Sequence, residues 1–186
     1  MTDLLDLIRS RRTVHEYRRE PIPAGCLERA LAAAVAAPNH HMTEPWRFRR
    51  VGPYTRAELL DVNLDIKRTK AGDLTDVQED RLRAKFMNAA ELLVVSRIRN
   101  DDHATAREDY AAVACAVQNL MLALHAESVG AKWTTGAVTR DLRTYDLTEV
   151  DFDVERIEGF IWAGVAAEGD KSRRRLGSGD ILRELP

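Results

Sequence analysis

Apolar residues return every three or four positions in some stretches of the chain and every second position in others, which predicts helices interleaved with short strands. Leu4, Leu5, Leu7 and Ile8 form a helical stripe behind Thr2 or Asp3 as N-cap, so Asp3 to Arg11 reads as a short helix ending in Arg9, Arg11 and Arg12. Pro23 stands where a first helical turn accepts proline, the Ala-rich run 30–37 favours helix, and Pro38 stops it, giving a second helix of about four turns. Trp46 and Phe48 alternate with Arg47 and Arg49, the period of a half-buried strand over 46–51. Residues 54–88 are helical in pattern but polar, and Gly72 divides them into two helices with a solvent-facing joint.

The continuous run Leu92-Leu93-Val94-Val95 predicts a strand over 91–97 buried on both faces of a sheet. Tyr110, Val113, Val117, Met121 and Leu124 recur at helical spacing, which makes 105–129 the longest helix, with Gly130 as its left-handed cap. A short strand at Lys132-Trp133, a turn at Gly136, a helix from about Thr139 and a last strand over 157–163 complete the core. Residues 168–186 are too polar to pack alone. No strand leads into Gly-x-Gly-x-x-Gly, which argues against a dinucleotide-binding fold or a phosphate-cradling loop.

A chain of 186 residues suits one domain spanning 1–186. Its 28 basic and 30 acidic residues nearly cancel, so neither nucleic acid nor an anionic membrane is an expected partner; small molecules and proteins are. Only Cys26 and Cys115 occur, without a Cys-x-x-Cys pair; both read as packing thiols of a reducing compartment. The apolar runs fall far short of a membrane span, and a cytoplasmic protein is expected.

Candidate chemistry is concentrated in four places. Arg11-Arg12-Thr13 offers two guanidinium forks and a hydroxyl, which suit a phosphate; alternatively the arginines satisfy the last carbonyls of the first helix. The loop 38–46 gathers donors, acceptors and Trp46, the latter read as core; His40 and His41 have no companions at metal-ligand spacing, so no metal site is expected. Trp133-Thr134-Thr135-Gly136 could face backbone N–H groups and hydroxyls toward a ligand at a strand end. Arg173-Arg174-Arg175 is by itself a solvated basic run. No Gly-x-Ser-x-Gly elbow supports hydrolase chemistry.

Together these segments resemble the FMN-dependent nitroreductase family, especially its small, minimal branch. Arg11-Arg12-Thr13-Val14-His15 is similar to the family's Arg-Arg-Ser-x-Arg opening, and Pro21-Ile22-Pro23 to the entry of its second helix. Residues 37–48, with Ala37-Pro38-Asn39 and Glu44-Pro45-Trp46-Arg47-Phe48, are similar to its Ala-Pro-Ser…Gln-Pro-Trp-x-Phe signature. The long helix running into Trp133-Thr134-Thr135-Gly136, and the last strand followed by Arg173 and Arg175, complete the family order.

The resemblance implies an α+β fold: a three-layer sandwich around a mixed, mainly antiparallel sheet, in an intertwined homodimer with FMN at the subunit interface. Residues 168–186 would be a tail contacting the partner subunit. Arg11, Arg173 and Arg175 would hold the FMN phosphate, and Arg12 and Thr13 the ribityl chain and pyrimidine edge, with Arg12 tuning the flavin. His40 would reach the flavin of the other subunit, and Trp133, Thr134 and Thr135 would line its phosphate or ring side. The implied activity is hydride transfer from NADH or NADPH through FMN to a small electrophile such as a nitroaromatic or quinone, with no dedicated catalytic acid or base. A flavin oxidase or dehalogenase not using NAD(P)H, and a flavin-sequestering dimer, are the alternatives. His15, Met42 and Glu44 depart from the family pattern, the last placing a carboxylate where an amide is usual.

Overall fold

In the computed structural model, which describes residues 3–167 and 175–185, a four-stranded sheet lies between two layers of helices. The strands are β1 (Trp46–Arg50), β2 (Glu91–Ile98), β3 (Gly130–Thr134) and β4 (Glu155–Gly164), in the order β1-β2-β4-β3 with every neighbour antiparallel. Where a mixed sheet is expected, the four strands pair only antiparallel; the parallel bridge between Thr13 and Ala131 lies outside them. The fold class read from the sequence otherwise stands as an α+β sandwich.

The two central strands are the two most apolar. β2 is buried through Arg97, and β4 contributes Phe160, Ile161 and Trp162, all fully buried. Alternation then sends Leu93, Val95, Ile161 and Ala163 to one face and Leu92, Val94, Phe160 and Trp162 to the other. The first face is covered by helices α2 (Cys26–Ala34) and α5 (His103–Ala126), through Ala30, Ala34, Val113, Val117 and Leu120. The second is covered by α3 (Pro53–Ala71), α4 (Asp76–Met87) and α6 (Leu142–Leu147); there Phe86 meets Trp162 edge-on at 4.9 Å and 77°.

Local chemistry explains the boundaries. Helix α1 (Leu4–Ser10) starts at Asp3, whose carboxylate accepts from the Leu5 N–H. The second helix is shorter than its Ala-rich sequence suggests: Gly25 at φ 72° sets its start, and Pro23 lies before it instead of opening it. Thr75 and Gln78 form a reciprocal capping box at the start of α4, after the chain turns through Gly72 at φ 78°.

At the end of α5 the left-handed residue is Ser128, at φ 61°, and Gly130 already belongs to β3. Gly130 is needed for a different reason from the cap expected of it: a Cβ there would lie 2.5 Å from a methyl of Val14. Two further expectations are corrected. The polar pair α3 and α4 is partly core, burying Leu59, Leu60, Leu64 and Phe86, and Cys115 is exposed while Cys26 is buried.

Candidate functional site

The end of α1 and the start of β3 meet because Thr13 bridges to Ala131, which sets the adjacent arginines of the first segment beside the C-terminal turn of α5. A cavity of about 340 Å³ opens there, lined by Ser10, Arg11, Arg12, His125, Ser128 and Gly130 among others, with no carboxylate among its described lining residues. Arg11 is held less readily protonated than an ordinary arginine, first by burial, then by the like charges of Arg175 and Arg12. The same environment lowers the pKa of His125: burial first, then Arg11 and Arg12. Its Nε2 lies 3.0 Å from the Ser10 hydroxyl.

The charge of Arg175 is felt by Arg11 within one protomer, although the two are remote in sequence. Arg173 lies outside the described residues. Arg12 supports both readings of its motif. Its Nη1 donates to the Arg9 and Arg11 carbonyls, ending the helix, while the guanidinium still borders the cavity. Thr13 is exposed beside it.

Along β3 the pleat separates the three residues expected to act together. Trp133 faces α5, and its indole N–H is buried without an acceptor among the described residues. It lies over Gly159, where a Cβ would be 2.3 Å from Nε1. Thr134 points to the opposite face, its hydroxyl accepting from the Trp162 indole N–H at 2.9 Å. Thr135 is exposed at the strand end.

His40 stands apart from the arginine cluster. Its Nδ1 is 2.9 Å from Glu108, which also takes His41 at 3.1 Å, near the opposite end of α5 from His125 and so about 25 Å away at ~1.5 Å per residue. The imidazoles stack at 4.3 Å. Glu108 brings a third potential metal ligand to the histidine pair, with all three ligand atoms within 4.8 Å, a contact that spacing along the chain could not reveal. All three side chains are exposed.

One basic feature escaped the sequence reading. A cavity of about 670 Å³ beneath α4 is lined by Lys67, Arg81, Lys85 and Lys132 together with His15. The ammonium of Lys85 sits 5.2 Å from the Trp162 ring, and burial, then Lys67, lowers its pKa. These lysines come from three separate elements, so only the fold gathers them.

The arrangement suits an elongated anionic ligand: a cationic cleft at one end of β3, an exposed strand end at the other. Comparison with known proteins decides the family. The nitroreductase family matches residues 8–165. The chain belongs to the nitroreductase family. Nitroreductase-family relatives include YfhC of Bacillus subtilis (strain 168), provisionally named an NAD(P)H nitroreductase: 27% identical over 183 residues, covering 98% of this chain and 94% of its own. The fold matches that of a nitroreductase-like protein from Bacillus cereus with a TM-score of 0.83 at 23% identity, covering 100% of this chain and 97% of that one. A protein of Desulfovibrio desulfuricans, provisionally a nitroreductase and solved in complex with FMN, gives 0.72 at 26% identity, covering 100% and 98%. Among the described residues, no helix of this nitroreductase-family chain is long and apolar enough to cross a membrane.

Proposed function

We propose that this protein is an FMN-dependent oxidoreductase of the cytoplasm that carries a hydride from NADH or NADPH to a small electrophilic acceptor such as a nitroaromatic or quinone. The observation that carries the reading is the pair Arg11 and Arg12 on the wall of a cavity whose described lining includes no acidic residue, with the charge of Arg175 also felt by Arg11. Mutually repelling guanidinium groups in a partly buried site are stabilised by a dianion, and a phosphate meets their forks bidentately. The FMN complex of a relative 26% identical supports the same choice.

FMN, when bound, supplies reversible acceptance of a hydride, which lets one pocket serve donor and acceptor in turn. The chain's own residues bind and orient it. Arg11 and Arg175 hold the phosphate, joined by Arg173 from the tail, and Arg12 and Thr13 meet the ribityl chain and pyrimidine edge. The Arg12 guanidinium favours negative charge on the group beside it. The buried N–H of Trp133 is a donor still without an acceptor among the described residues, and Thr135 offers a hydroxyl at the ring end. Thr134 contributes backbone alone, since its hydroxyl is engaged by Trp162.

The proposed assembly is a homodimer of single-domain subunits in which residues 168–186 contact the partner and His40 reaches the partner's flavin. Its support is apolar surface that one protomer leaves uncovered. Leu4 and Leu5 of α1 are more than half exposed, as are Leu176, Ile181, Leu182 and Leu185 of the tail. Purified protein is expected to be yellow, to elute as a dimer, and to bleach rapidly and anaerobically on addition of NADH or NADPH. A colourless monomer that takes up no FMN on titration overturns the reading. A yellow dimer that neither nucleotide bleaches replaces it with the oxidase, dehalogenase or sequestering alternative.

A further inference from the structure

A second arginine-rich cavity opens beyond the end of β3, whose pairing with β4 stops at Phe160. Its volume is about 840 Å³, and Thr135, the residue proposed for the flavin ring end, is part of its wall. Arg97, Arg99, Arg107, Arg140 and Arg156 line it, against Glu158 as the only acidic lining residue described. They come from β2 and the segment after it, α5, the turn 137–140 and β4, so no stretch of sequence announces them.

The counter-charge is largely spent. Glu158 accepts from Arg97 Nε at 3.0 Å and lies 4.0 Å from Arg156. Arg99 donates to the carbonyls of Phe152 and Glu155 and stacks 4.7 Å from the Phe152 ring. Arg107 and Arg140 make no hydrogen bond or ion pair among the described residues. Arg97 is 8% exposed, and its Nη1 is buried without an acceptor among the described residues. A buried guanidinium nitrogen with no acceptor is costly and marks a place where an acceptor belongs. On the β1 side the chain gives its arginines carboxylates, as Arg49 has Glu155 and Arg50 has Glu91.

We infer that this notch seats the phosphates of the dinucleotide electron donor, with Arg107 and Arg140 as specificity-determining residues and Arg97 fixing the back wall. The inference rests on the reading of the preceding subsection, which places the acceptor of the hydride at Thr135. Several forks around one volume suit a pyrophosphate, with its several oxygens, better than a single carboxylate. A donor anchored there has its nicotinamide free to lie across the strand end toward the flavin.

The test uses flavin-loaded protein, so that the Arg11 cavity is filled, and compares wild type with the double variant R107A/R140A. Anaerobic flavin bleaching is followed against NADH, NADPH and reduced nicotinamide riboside, which carries no phosphate. The apparent Kd for both dinucleotides is expected to rise about tenfold or more in the variant, and that for the riboside to stay at its wild-type value. Equal effects on riboside and dinucleotides, or no effect on either, overturn the inference. So does an effect confined to an anionic acceptor such as 4-nitrobenzoate.

Inorganic pyrophosphate supplies a readout independent of turnover. Calorimetry under saturating FMN, which fills the Arg11 cavity, should show it binding to wild type and to R11A but not to R107A/R140A. Loss in R11A alone, or no binding to wild type, overturns the notch. If the protein takes no FMN, the proposed function fails while this calorimetric comparison still decides the notch.

Discussion

Arginine plays opposite parts at the two edges of the sheet. On the β1 side it is neutralised in place: Arg49 gives both Nη groups to Glu155 at 2.8 Å, and Ser96 joins the same carboxylate. Arg50 forks Glu91, and Arg56, buried beneath them, is satisfied by the carbonyls of Val51, Ala89 and Ala90. At the two ends of β3 the same side chain is gathered with little or no free acid: Arg11 and Arg12 at one end, where Arg175 adds its charge, and Arg107 and Arg140 at the other, where Glu158 is already paired with Arg97. Where the fold supplies the anion, arginine is holding the fold together; where it supplies little, the proposed ligands supply it.

The comparison breaks most directly at Arg11. Arg11→Ala removes one charge-assisted fork, which is about 1.5–3 kcal/mol of FMN affinity, or roughly 10- to 150-fold in Kd. The variant should unfold at no lower urea concentration than the wild-type apoprotein, because it relieves repulsion with Arg175 and Arg12. Flavin fluorescence titration beside urea unfolding checks both halves; unchanged flavin affinity would return Arg11 to a helix-ending role.

Glu155→Gln tests the other edge, where the loss should be of stability and not of flavin. Glu155 and Arg49 are 10% and 28% exposed, so the pair falls between surface and core cases, and about 2 kcal/mol is expected. The hydrogen bond from Arg49, the largest influence, holds the Glu155 carboxyl below the ordinary glutamate range. A lowered folded pKa means stability present above the unfolded value near ~4.3 and lost as pH falls through the folded one. Urea titrations across that range should therefore show wild type ahead of Glu155→Gln at neutral pH, with the two converging under acid.

Thr134→Val sharpens the boundary between the two roles along β3 itself. Its hydroxyl accepts from Trp162, so the variant leaves a buried indole N–H unpaired and should cost about 1 kcal/mol in stability. FMN affinity should not move, whereas Thr135→Val, at the exposed strand end, should leave stability alone. Reversal of that pattern would mean that Thr134 leaves Trp162 to contact the cofactor.

How much of this was legible in the sequence follows from where each feature's residues lie along the chain. The strand 91–97 and the Trp46/Phe48 alternation announce themselves because burial on a sheet is a local period. Arg11-Arg12-Thr13 is legible because its members are adjacent, and the tail arginines because they form a run. The notch is illegible for the converse reason: its arginines are far apart until β2, β4 and α5 pack. Gly130 reads as a cap because glycine after a helix usually is one; the contact that requires it, with Val14, is tertiary. Trp133, Thr134 and Thr135 read as one motif, yet a strand turns alternate residues to opposite faces, and only the pairing with β4 says which.

The smallest effect expected is also the one that isolates charge from everything else. Arg140 is exposed on a short turn and has no hydrogen-bond partner among the described residues, so Arg140→Ala removes almost nothing except a positive charge facing Arg156, Arg97 and Arg107. If the notch is cationic with its carboxylate already spent, the variant gains slightly in stability at low salt, and the gain vanishes at about 1 M salt, where the screening length is ~3 Å. Added pyrophosphate should reverse the order, stabilising wild type more than Arg140→Ala, because a ligand stabilises only the state that binds it. A loss of stability that salt does not alter would instead place Arg140 with the arginines of the opposite edge, holding the turn 137–140 together and waiting for nothing.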